Sequence, residues 1–213
     1  MADNTTLNAG TGGDVIGSDD ISSVKYQRVK IIHGVDGTND GDSAKTNPFP
    51  VLPLGLPKSI KVDVTRPADV AAYAAADCIS DSTSAPTSGG FTITNAGRAS
   101  GGSCIITDVC IASSNDPATR LAGEIFIFDT SVTNVNDNAA FVVSDTEIKT
   151  CVAVIPFSLF DAGNNGFCHV SGLNILATCS GTANLRFLLR ARNAYTPASA
   201  EVLSFTFKLF QVD

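Results

Sequence analysis

Tryptophan is absent from the chain, methionine occurs once, histidine twice (His33 and His169) and glutamate three times (Glu124, Glu147 and Glu201). Two histidines leave little room for imidazole chemistry, and because His33 is followed by glycine no H-E-x-x-H zinc motif exists. The six cysteines, Cys78, Cys104, Cys110, Cys151, Cys168 and Cys179, include no C-x-x-C pair, which removes the usual zinc signature. Gly101-Gly102-Ser103-Cys104-Ile105 lacks the closing glycine of a nucleophile elbow. In "GTGGDVIG", Val15 stands where a dinucleotide fingerprint needs glycine. These residues point to neither an enzyme nor a cofactor. Positive charge is scarce as well. Against 21 Asp and Glu stand 14 Lys and Arg, a net charge of −7 and the wrong sign for displacing counterions from nucleic acid. No apolar run reaches the length of a membrane span. Neither nucleic acid nor membrane is an expected partner.

What is present is strand and turn composition. All but three of the acids are aspartates, which with Gly, Ser, Thr and Asn bond their own backbone and favour turns over helix interiors. Phe, Ile, Val and Thr supply much of the rest. The opening "MADNTTLNAG" has neither the basic nor the apolar segment of a secretory signal. The cysteines, mostly inside strand-like runs, are therefore expected to be reduced core thiols.

The pattern divides the chain in two. Residues 1–57 read as an extended N-terminal arm holding one strand and ending in "NPFPVLPLGLP", whose four prolines make a stiff connector. Residues 58–213 read as a β-sandwich domain. "SIKVDVT", "FTIT", "NLRFLLRAR" and "VLSFTFKLF" alternate with period two, as strands with one core face do. "GEIFIFDT" and "TCVAVIPF" are apolar on both faces, so a second layer or another subunit is expected to cover them. Turn clusters such as "SDSTSAPTSGG", "DAGNNG" and "CSGTAN" separate eight or nine strands, the spacing of a sandwich or barrel. "RPADVAAYAAADC", within residues 66–79, fits a helix entered at Pro67 and equally a loop feeding a strand.

Two stretches of the arm invite a binding role. In "DGTNDGDSAKTN", Asp36, Asp40 and Asp42 partly mimic an EF-hand loop. Thr38 occupies the third position and Asn47 the twelfth, where a bidentate glutamate belongs, so a solvated turn is the reading and no metal is expected. "VKYQRVK" carries Lys25, Tyr26, Arg28 and Lys30. It could grip a polyanion or guard a sheet edge. It fits better as a strand added to a partner's sheet, with its charges selecting that partner.

"GGDVIGSDDISSVKYQRVKIIHGVDGTNDGDSAKTNPFPV" resembles the leader segment of many virion-associated proteins of tailed bacteriophages. Gly12-Gly13-Asp14, Asp19-Asp20-Ile21, Val24 to Lys30 and Asp36-Gly37 carry the match. The remainder, through "DNAAFVVSD" to "RNAYTPASAEVLSFTFKLFQ", resembles a phage structural family of the same architecture. Ala76 stands where its members tend to have glycine. The resemblance implies a jelly-roll-like antiparallel sandwich in a non-enzymatic capsid decoration (cement) protein on the outer capsid surface. Its partner would be the major capsid protein, and the two-faced apolar stretches "GEIFIFDT" and "TCVAVIPF" point to further copies of itself, as a homotrimer. A tail or head-fibre receptor-binding protein would share the sandwich. Its loops should carry aromatics for glycan stacking, and this chain has only Tyr26, Tyr73 and Tyr195 besides phenylalanine.

Overall fold

A computed structural model describes residues 3–6, 15–22, 24–27, 55–115 and 117–212. The chain divides into two compact units, Met1–Leu52 and Pro53–Asp213. The first holds three short strands, β1 (Asp3–Thr6), β2 (Val15–Ile21) and β3 (Val24–Gln27), in an antiparallel sheet of order β1-β2-β3. The sequence pattern supplied only one strand there. The wholly polar Asp-Asn-Thr-Thr of β1 and the Gly, Ser and Asp of β2 leave no periodic signal, whereas the backbone pairing does not depend on side-chain periodicity.

The second unit is a sandwich of ten strands: β4 (Leu56–Thr65), β5 (Cys78–Ile79), β6 (Phe91–Ile93), β7 (Ser103–Ser113), β8 (Ala122–Phe128), β9 (Cys151–Ser158), β10 (Phe160–Asp161), β11 (Gly166–Thr178), β12 (Leu185–Ala191) and β13 (Val202–Gln211). One sheet runs β10-β11-β7-β13-β4 and the other β5-β12-β8-β9, with β6 also on β12. All pairings are antiparallel. They are nested: β4 with β13, β5 and β6 with β12, β7 with β11, and β8 with β9. A long hairpin of strands wrapped around a core gives this order, which is that of a jelly roll. The fold is all-β, and no α-helix occurs among the described residues.

The core lies where the inward residues of both sheets meet. Phe187 of β12 packs against Phe91, Phe205 and Phe207, with ring centroids 5.3 to 5.4 Å apart. Burial of each such ring is worth about 1.5–3 kcal/mol. Gly123 of β8 leaves the space that the Phe157 ring occupies, since an added Cβ would fall 2.6 Å from it. Cys78, Cys104, Cys168 and Cys179 are buried, while Cys110 and Cys151 are partly exposed. Burial pushes the Cys78 thiol up to about 12.

The second face of β8 is covered by this chain itself. Phe126, Phe128 and Leu188 form a smaller cluster with Val132, and Phe141 and Val143 of the loop after β8 pack onto it. A reciprocal cap holds that loop. The Ser144 hydroxyl donates to Glu147 at 2.6 Å, the Glu147 N–H donates back to Ser144 at 3.2 Å, and the Thr133 N–H donates to Glu147 at 2.6 Å. The apolar pattern of "GEIFIFDT" is thus satisfied without another subunit. Val154 of β9 remains well exposed beside it.

Residues 66–77 are a loop that feeds β5, resolving the helix-or-loop alternative. Ala76 adopts φ 74° in its final turn, the left-handed conformation that glycine takes without strain.

Candidate interaction surface

Of the residues singled out in the sequence, Lys25 and Tyr26 lie on β3. The backbone register sets Lys25 opposite Asp20 and Tyr26 opposite Asp19. The strand's basic residue thus faces an acidic stretch of its own chain across the ladder. Arg28, Lys30 and the loop aspartates Asp36, Asp40 and Asp42 lie outside the described residues. Among the described residues no three His, Cys, Asp or Glu side chains converge as a metal ion would require.

Inside the sandwich, polar groups gather in two places, and both are consumed by structure. Arg66 and Asp137, their side chains fully buried, pair at 2.7 Å. Tyr73 donates to Asp137 at 2.6 Å, the Ser80 N–H donates to the same carboxylate at 2.8 Å, and Arg66 donates to the Tyr73 oxygen. Beside this group, Tyr195 donates to both oxygens of Glu201 at 2.6 and 2.7 Å, and Ser113 donates to one of them. The two tyrosine rings stack at 6.3 Å, and their backbones form a β-bridge. Burial first, and then the neighbouring carboxylate, pushes each phenol well above its ordinary value. Groups so enclosed reach no substrate. They tie the loops after β4 and β12 together.

The exposed faces offer more. In β7 and β11 the inward positions change phase partway along, from Cys104 and Ile106 to Val109 and Ile111, and from Cys168 and Val170 to Ile175 and Ala177. Register shifts mark both places, at Lys208/Leu209 opposite β7 and at Ser171/Ile175 in β11. Beyond the shifts the outer face turns apolar. Leu176 sits opposite Ile105, Ile105 opposite Phe210, and Phe210 opposite Pro57, a row across four strands. Leu176 is 65% exposed and Phe210 44%. An open groove of about 530 Å³ beside Phe210 and Pro57 is bordered by Asp108 and Lys208. His169 lies 3.1 Å from Asp108 on this face. The Thr107 hydroxyl, with further help from His169, holds the Asp108 carboxyl below the usual range. Sequence reasoning missed this row. Its one signal is Phe210, an aromatic where the alternation of "VLSFTFKLF" calls for a polar residue.

No protein-family model matches the chain, and no curated protein matches it. Among solved structures it is similar to a chain of Desmodium yellow mottle tymovirus, at 13% identity and a TM-score of 0.28 over 87% of this chain and 95% of that one. A chain of the full particle of Israeli acute paralysis virus gives 12% identity and a TM-score of 0.32 over 97% and 93%. One from the native virion of Kashmir bee virus at acidic pH gives 11% and 0.29 over 97% and 92%. At these scores the jelly-roll assignment stands on the nested strand pairing described above.

Proposed function

We propose that the protein is a non-enzymatic bacteriophage virion component, a capsid decoration (cement) protein that binds the major capsid protein lattice on its outer surface. The observation that carries this reading is the exposed apolar row Leu176–Ile105–Phe210–Pro57 on the outer face of a jelly-roll sheet. An exposed row of this kind, rimmed by charge, suits a protein-docking surface better than a reaction centre. The resemblance of residues 12–51 to phage leader segments points to the partner. In this reading the arm, with Lys25, Tyr26, Arg28 and Lys30, supplies attachment, and the sheet face supplies the lattice contact.

The test is electron cryomicroscopy of intact virions with capsid-binding assays. Density on the capsid surface is expected. Deletion of residues 1–52 should leave a folded sandwich that no longer decorates capsids, and Phe210→Ser with Leu176→Ser should lower occupancy. Density at the tail or a fibre would assign the protein to receptor binding instead. Full occupancy by the truncated chain would move attachment to the sandwich.

A further inference from the structure

β4 is an edge strand among the described residues: its one neighbour in the sheet is β13. Ten residues long, it leaves a row of N–H and C=O groups along its free side. Natural edges of this length are usually blunted by proline, a bulge or a run of like charge. Here the stretch Ser59–Thr65 has no proline, pairs with β13 without a register shift, and carries one charge of each sign. Its inward side chains are incompletely covered, since Ile60 and Val62 are only partly buried against the core. On the outer face Lys61 and Asp63, 60% and 46% exposed, pair with each other along the strand at 3.1 Å, with Ser204 donating to Asp63 and Thr206 opposite Lys61 on β13.

About Val62 the stretch Ser-Ile-Lys-Val-Asp-Val-Thr is symmetric in pattern, hydroxyl with hydroxyl (Ser59, Thr65) and β-branched apolar with β-branched apolar (Ile60, Val64), and complementary in charge (Lys61, Asp63). We propose that β4 is a self-recognition edge, through which two copies of this chain pair antiparallel about a two-fold axis at Val62. Lys61 of each copy then lies opposite Asp63 of the other, Ile60 opposite Val64, and Ser59 opposite Thr65. Antiparallel neighbours directly opposite must share a face, so the allowed registers move in steps that keep inward residues together. A two-fold axis at Lys61 would set lysine against lysine, and one at Asp63 would set aspartate against aspartate. Like charges directly opposite destabilise a strand pair, and opposite charges stabilise it. Centring on Ile60 sets Val62 against Lys58 and Asp63 against Pro57, which wastes both charges. Of these four registers, the one at Val62 satisfies both faces. The interface is isologous, so it closes at two copies and joins two five-stranded sheets into one. It is independent of the virion role proposed above.

The test is sedimentation velocity on the full chain over a concentration series. Wild type should show a reversible dimer. Lys61→Asp and Asp63→Lys should each raise the dissociation constant about tenfold or more, because each sets like charges opposite one another twice. An equimolar mixture of these two variants should dimerise again, since one copy then presents aspartate at both positions and the other presents lysine at both. The double variant Lys61→Asp/Asp63→Lys should dimerise like wild type. Circular dichroism and melting temperature establish that each variant is folded. A wild-type monomer at every soluble concentration would overturn the proposal. So would a trimer, or a dimer that both single reversals leave intact.

Discussion

Replacing Asp137 by alanine should be among the most damaging single changes in this sandwich. Its carboxylate accepts from Arg66 at 2.7 Å, from Tyr73 at 2.6 Å and from the Ser80 N–H at 2.8 Å, and its side chain is fully buried. Removal takes this acceptor from three donors and leaves the Arg66 guanidinium without its principal counter-charge. Asp69, 3.5 Å from the same guanidinium and partly exposed, offsets a fraction. Breaking a buried pair by deleting one partner costs about 3–5 kcal/mol, a large share of the roughly 5–15 kcal/mol that stabilises a domain. Equilibrium unfolding in guanidinium chloride should show a lower midpoint with an unchanged slope. Removing both charges while keeping volume, as Arg66→Met with Asp137→Leu, should cost less than the single change, because no unpaired charge stays behind. A single variant within about 1 kcal/mol of wild type would refute this account. So would a double variant as unstable as the single one.

Ala76→Gly should stabilise by about 0.5–1 kcal/mol, because φ 74° strains alanine at an exposed position with no packing to lose; thermal melting measures it. Hydrogen bonds from Ser144 and Thr133 lower the Glu147 carboxyl from its ordinary 4.5 to about 2. Its contribution is therefore complete above pH 4.5 and fades as pH falls towards 2, and Glu147→Gln should flatten that part of the stability–pH curve. Cys104→Ser, in the fully buried part of β7, should cost about 1–3 kcal/mol. Cys110→Ser, half-exposed on the outer face, should cost far less, and chemical denaturation of the two variants compares them.

The strands with unbroken alternation were legible. "SIKVDVT" lies in β4, "NLRFLLRAR" contains β12 and "VLSFTFKLF" lies in β13, and Leu203, Phe205, Phe207 and Leu209 are all buried as their spacing requires. β11 was not, although it is the longest strand in the domain. Gly172 and Asn174 take positive φ inside it, and the irregularity shifts the inward residues by one position. A period-two signal that reverses phase cancels itself when read as one strand. The same reversal in β7 hid the apolar row, because Ile105 and Leu176 read as core residues until the phase change turns them outward. The cover on β8 was legible as a need and not as a solution. Two apolar faces demand a second layer, but nothing in "FVVSD" announces that the chain's own loop supplies it. Lys25 and Tyr26 fall on a strand as read, and their pairing with Asp20 and Asp19 depends on a register that the side chains do not encode.

Nested pairing also sets an order of events. β4 is the first strand of the domain and β13 the last, and Ser204 donates to Asp63 across 141 positions of chain. During synthesis β4 leaves the ribosome long before its partner exists. At about 5–20 residues per second it waits for several seconds at least with both edges open. Long loops must close before such distant contacts form, which makes assembly slow. The interval is when the edge that β13 later covers is most available to the wrong neighbour. The arrival of β13 ends it by covering that edge, and among the described residues the opposite edge stays open.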